Sequence, residues 1–261
     1  MQKASITLEG AGTMRLKWET KLGIALLCST ALIYGLKFLI VGDEGESNTL
    51  TYIFNALGFL PVNVLLVTLI INQLLAIRSK RERLQKMNMV IGIFFSEVGS
   101  TLLKLFSDAD PNLDELRGDL LIRDSWTDTE FDRIRDELQG TEHTIMIQRI
   151  DLQDLHNFLI RHRDFLLRLL ENPVLLEHTT FTEALRAVFH LSEELESRDD
   201  ISRLPEKDIT HLTIDIRRVY DQLTPEWIEY MRYLKSHYPY LFSLAMRKNP
   251  FDENASPMIA G

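Results

Sequence analysis

Two apolar runs decide the fold: LGIALLCSTALIYGLKFLIV from Leu22 to Val41 and LTYIFNALGFLPVNVLLVTLIINQLLAI from Leu50 to Ile77, joined by the short acidic loop Gly42 to Thr49. The first is as long as the roughly 20 residues a helix needs to cross ~30 Å of hydrocarbon. The second, with 28 residues, would extend roughly 42 Å as a helix, so it must tilt or leave the bilayer still helical. Arg15, Lys17 and Lys21 resemble the basic start of a secretion signal. No convincing small-x-small cleavage site follows, and Leu27 is too large for the position before a lipidated Cys28, so the run is read as a retained span.

The expected fold class is all-α: a two-span transmembrane helical hairpin followed by a cytoplasmic multi-helix bundle. The expected order is a tail (1–21), the hairpin (22–77), a juxtamembrane helix (78–107), a helical domain (108–248) and a C-terminal tail (249–261). Lys3, Arg15, Lys17 and Lys21 precede the first span, and Arg78, Lys80, Arg81, Arg83 and Lys86 follow the second. The loop holds Asp43, Glu44 and Glu46 and no Lys or Arg. By the positive-inside rule both termini are cytoplasmic, and the expected location is a cell's inner or plasma membrane. Lys37, about one turn from the outer end of its span, can snorkel to the headgroups.

Residues 1–83 carry 9 Lys+Arg against 6 Asp+Glu, and the remainder 20 against 32. An acidic domain is a poor phosphate binder, which argues against a nucleic-acid partner. Cys28 is the single cysteine, so no intrachain disulfide forms, in agreement with a reducing compartment.

Within the first span Cys28, Ala31 and Gly35 recur at i, i+3 and i+7, a small-residue strip that lets another helix approach. At 100° per residue Thr51, Asn55, Gly58, Thr68, Asn72 and Gln73 share one broad face of the second. Polar groups in hydrocarbon need partners, so this face should meet protein or water. These nine residues are the expected oligomer or pore face. Pro61 predicts a kink.

Leu84 to Phe106 is apolar enough to raise a third span, but Glu97 near its centre would cost about 2.5–3.5 kcal/mol to insert. A helix continuing from the second span into the soluble core, or lying at the interface, is the preferred reading. Beyond it the chain is punctuated as a bundle. Asp110-Pro111 opens a helix to about Ile122, and Thr127 to Glu130 is a capping box for a helix ending at Gly140. Leu152, Leu155, Leu159, His162, Leu166 and Leu169 form a heptad seam ended by Asn172-Pro173. Thr180 and Glu183 frame another capping box, Asp208 caps a further helix, and Thr224-Pro225 and Pro239 start the last two. No alternating strand and no repeat is visible.

Chemical motifs are weak. His162-Arg163-Asp164 spells a kinase triplet, but the required Asn is Leu169 and no glycine-rich loop accompanies it. Asp108, Asp110, Asn112, Asp114 and Asp119 have calcium-loop spacing, but Leu113 stands where Gly is needed. His190 with Glu194, and His211 with Asp215, are i, i+4 pairs, best read as surface pairs. No cofactor or metal is therefore assigned, and the chain is not expected to be an enzyme. His162 is read as a core histidine with a pH-responsive switch as the sharper alternative. Asn249-Pro250-Phe251 reads as a recognition turn or a turn closing the last helix.

The expected function is a membrane-anchored oligomeric interaction or regulatory protein. Its expected partners are membrane lipid, further copies of itself and a cytoplasmic protein. The alternative is a subunit of a small oligomeric channel lined by the second span.

Overall fold

The computed structural model describes residues 18–41, 48–113, 118, 120–138 and 143–258. The loop acids Asp43, Glu44 and Glu46, the basic residues Lys3, Arg15 and Lys17, and the calcium-spaced Asp114 and Asp119 lie outside the described residues. So do Gly140 and residues 114–117 and 119 of the helix expected after Pro111. The described residues are all-helical, and the chain divides into two units, before and after Arg81.

The first unit comprises α1 (Trp18–Val41) and the part of α2 (Asn48–Phe94) up to Arg81. Exposed apolar side chains lie along both helices, among them Leu32, Phe38 and Leu39 on α1 and Tyr52, Leu60 and Leu74 on α2. Gly58 seats the Tyr34 ring, since a Cβ there would lie 2.7 Å from Tyr34 Cε2. Lys37 Nζ donates to Asn55 Oδ1 at 2.9 Å, so its ammonium reaches across the hairpin and is not left to snorkel alone. Pro61 is buried and the helix runs on through it.

In the second unit α2 continues and buries Met87, Ile91 and Phe94. A π-helical turn (Phe95–Gly99) leads into α3 (Ser100–Asp108). Successive residues of an α-helix point ~100° apart, yet Phe94 and Phe95 are both fully buried. The wider π turn accommodates both. Phe94 meets Phe181 edge-on at 5.3 Å, and Phe95 stacks on Tyr230 at 5.2 Å. Ser96 and Glu97 face out. The segment's inner face is thus enclosed by this domain's own helices.

Around it stand α4 (Asp128–Leu138), α5 (Leu152–Leu170), α6 (Thr179–Glu196), α7 (Glu206–His237) and α8 (Pro239–Arg247). The central element is α7, which packs on α3, α4, α6 and α8. The sequence suggests a break at Thr224-Pro225, but α7 is one helix of 32 residues. Proline costs a helix interior about 3 kcal/mol. That cost is offset by burying Leu212, Ile216, Val219, Tyr220, Leu223, Trp227, Ile228 and Met231 on both sides of it, at roughly 1.5–3 kcal/mol each. Thr224 helps by donating its hydroxyl to the Tyr220 carbonyl at 2.8 Å.

Two helix starts also differ from expectation. The N-cap of α6 is His178, whose Nδ1 accepts from the Phe181 N–H at 3.2 Å; Glu183 pairs with Arg186 instead of closing a capping box. The N-cap of α7 is Pro205, three residues before the expected Asp208. At α4 the Thr127 N–H does donate to Glu130 Oε2.

Candidate functional site

The expected hairpin face divides in two. Cys28, Ala31 and Gly35 are all exposed, with nothing within 4 Å of a Cβ built on Gly35. Asn72 and Gln73 are exposed as well. Gly58 is buried, Thr51 and Thr68 are half-buried, and Asn55 is held by Lys37. The strip on α1 is therefore free, whereas the polar face of α2 is partly used within one hairpin.

His162 is half-buried, not a core residue. Its Nδ1 donates to the Phe158 carbonyl at 2.8 Å and its ring lies 4.5 Å from that of Phe158. Arg163 reaches Glu196 at 3.1 Å and Asp164 is exposed, so the kinase-like triplet points its three side chains at unrelated surroundings. Asn249-Pro250-Phe251 is not a free recognition turn. Asn249 Nδ2 donates to the Leu120 carbonyl and its Oδ1 accepts from the Phe251 N–H, both at 2.9 Å. Phe251, 1% exposed, packs against Trp227.

Two features escape a linear reading of the sequence. A groove of 1230 Å³ runs between the part of α2 after Arg81 (Leu84, Met87, Ile91), α4, the start of α6 and α7. Glu226 lines it and is buried. Burial pushes its carboxyl above the ordinary value, while the Thr180 hydroxyl and the His178 ring hold it partly down. Behind the groove, His143 is buried and its Nδ1 lies 2.7 Å from Asp221 Oδ1. Asp110 is buried nearby, its carboxyl raised by desolvation against the pull of the Asn112 N–H and His143.

One group of side chains among the described residues has the spacing of metal ligands. Glu194, His211 and Asp215 offer donor atoms that all lie within 4.8 Å of one another. His211 Nε2 is 3.4 Å from Asp215 Oδ2 and 3.6 Å from Glu194 Oε2. His190 Nε2 is 3.8 Å from both Glu194 Oε1 and Asp215 Oδ1. Arg198 binds Glu194 at 2.9 Å and Arg218 binds Asp215 at 2.7 Å. The hydrogen bond from Arg198 holds the Glu194 carboxyl below its ordinary value. The sequence shows two separate i, i+4 pairs; packing of α6 on α7 turns them into one cluster.

Residues 83–247 match the family described as "Uncharacterized protein MJ1433, C-terminal helical domain", and residues 13–75 match "MJ1433, N-terminal helical domain". The chain is 45% identical over 234 residues to "Uncharacterized protein MJ1433" of Methanocaldococcus jannaschii, a match spanning 90% of this chain and 93% of that one. The chain belongs to the MJ1433 family. No solved structure matches it. The gap between the two MJ1433 domains brackets Arg81, where the structure itself divides. The groove and the histidine–carboxylate cluster both fall within the C-terminal MJ1433 domain. That domain's match stops at the end of α8, before the Phe251 plug.

Proposed function

We propose that the chain is a membrane-anchored, oligomeric interaction protein. In this reading α1 and the part of α2 before Arg81 cross the bilayer with both termini cytoplasmic, and the helical domain is presented to a cytoplasmic partner. The observation that supports it most is the uncovered apolar surface of the hairpin: Leu32, Phe38, Leu39, Tyr52, Leu60 and Leu74 are 59–84% exposed, and apolar neighbours around both helices are exposed with them. A soluble monomer rarely leaves such a surface bare. Lys21 at the start of α1 and Arg78, Lys80 and Arg81 on α2 supply the cytoplasmic charge. The groove containing Glu226 is the natural seat for the partner.

The channel reading draws less support. A pore lined by α2 needs its polar face free, and Gly58, Thr51, Thr68 and Asn55 are covered or engaged within the hairpin. Purified protein in liposomes is expected to pass no ions; a conductance abolished by Asn55→Leu with Asn72→Leu would overturn the anchor reading. A reporter fused after Gly261 should be cytoplasmic and one inserted at Gly45 external.

A further inference from the structure

We propose that α6 and α7 hold a divalent transition-metal ion between Glu194, His211 and Asp215, three donors that leave the fourth position open. His211 and Asp215 stand four residues apart on α7, so this pair projects from one face, and α6 brings Glu194 to it. The nitrogen–oxygen separations of 3.4 and 3.6 Å are longer than hydrogen bonds, which cluster near 2.7–3.2 Å. They suit donors sharing an ion. Two atoms each ~2.1 Å from a tetrahedral centre stand about 3.4 Å apart.

The second observation is Asp215 itself. It is only 2% exposed, and its Oδ2, turned toward His211, has no hydrogen-bond partner. A carboxylate oxygen buried without a partner is costly, and an ion at this point satisfies it. Arg218 on Oδ1 and Arg198 on Glu194 Oε2 already occupy the places of outer-shell donors that orient metal-binding carboxylates. The His211 side chain is 52% exposed, which leaves an ion a way in. Imidazole with carboxylate selects zinc-like borderline ions, not calcium or magnesium, which prefer all-oxygen shells.

The test uses the full chain in detergent, stripped of metal and titrated with Zn²⁺ by calorimetry and with Co²⁺ by visible absorption. The expected result is one Zn²⁺ per chain with a Kd below about 10 µM, and Co²⁺ bands that Zn²⁺ abolishes. The His211→Gln variant should weaken binding at least ~100-fold and His162→Gln should not. Because the His211 side chain is half exposed, the metal-free His211→Gln variant should melt with the wild type. If it melts lower, Glu194→Gln must lose at least ~10-fold. Binding weaker than about 10 µM, binding untouched by these variants, or tighter binding of Ca²⁺ than of Zn²⁺ would overturn the site.

Discussion

Gly99 shows how one residue can fix a domain core without any demand from the backbone. Its φ is −59°, open to every amino acid. The demand is steric: a Cβ would lie 2.6 Å from Phe95 Cδ1 and 2.7 Å from Phe94 Cε1, and both rings are enclosed. Gly99→Ala is expected to destabilise the helical domain by ~1–3 kcal/mol, read as a melting point lower by roughly 2–4 °C per kcal/mol. Glu226 makes a pH-dependent prediction. Its folded-state pKa lies above the ordinary 4.5, so the folded chain holds this proton more tightly than the unfolded chain. That contribution is complete below pH 4.5 and is lost as pH rises through the raised value. Glu226→Gln should therefore leave stability unchanged at the acidic end and raise it near neutrality, measured as urea midpoints; Asp110 biases the wild-type profile in the same direction. Neither effect is legible in the sequence, because a glycine's ring neighbours and a glutamate's burial are properties of the packed chain.

At the scale of elements, the local chemistry of helix ends was legible in part. The Thr127 N–H donates to Glu130 at the start of α4, as a capping box requires, and Pro239 opens α8, whereas His178 and Pro205 stand where other caps were expected. Leu155, Leu159, Leu166 and Leu169 of the heptad seam are buried, while Leu152 and His162 at its other positions are only half-buried. What failed was the inference from proline to helix end at Pro225, because a local rule was outweighed by long-range burial along α7. The segment after α8 is the same lesson in reverse, since a short polar-looking turn serves as a core plug. Ser107 Oγ donates to the Pro250 carbonyl at 3.0 Å, which adds a third tie beside the two bonds of Asn249. Phe251→Ala should cost about 3–5 kcal/mol, and Asn249→Ala about 1–3 kcal/mol by stranding the Leu120 carbonyl and the Phe251 N–H. Both are expected to lower the melting point of the helical domain; an unchanged melt for Phe251→Ala would mean the plug is dispensable.

At the scale of the whole molecule, composition alone separated an apolar, basic-flanked segment from an acidic helical one, and the same division appears in the two structural units and the two MJ1433 domains. Composition is legible because it is summed over many residues. The cluster on α6 and α7 was not, because it depends on two helices meeting at one register. The strip on α1 carries a prediction of this larger scale. Cys28, Ala31 and Gly35 are exposed and are not consumed by α2, and small residues allow helices in a membrane to approach closely. A disulfide needs Cα atoms about 4.4–6.8 Å apart, a separation that only a close crossing at this strip provides. Cys28 is the single thiol in the chain, so any oxidised product reports this position alone. Mild oxidation of native membranes is expected to give a dimer band on a non-reducing gel. Cys28→Ser should remove the band, and Gly35→Leu should reduce it by forcing the helices apart. A wild-type chain that stays monomeric under oxidation would move the oligomer contact away from α1.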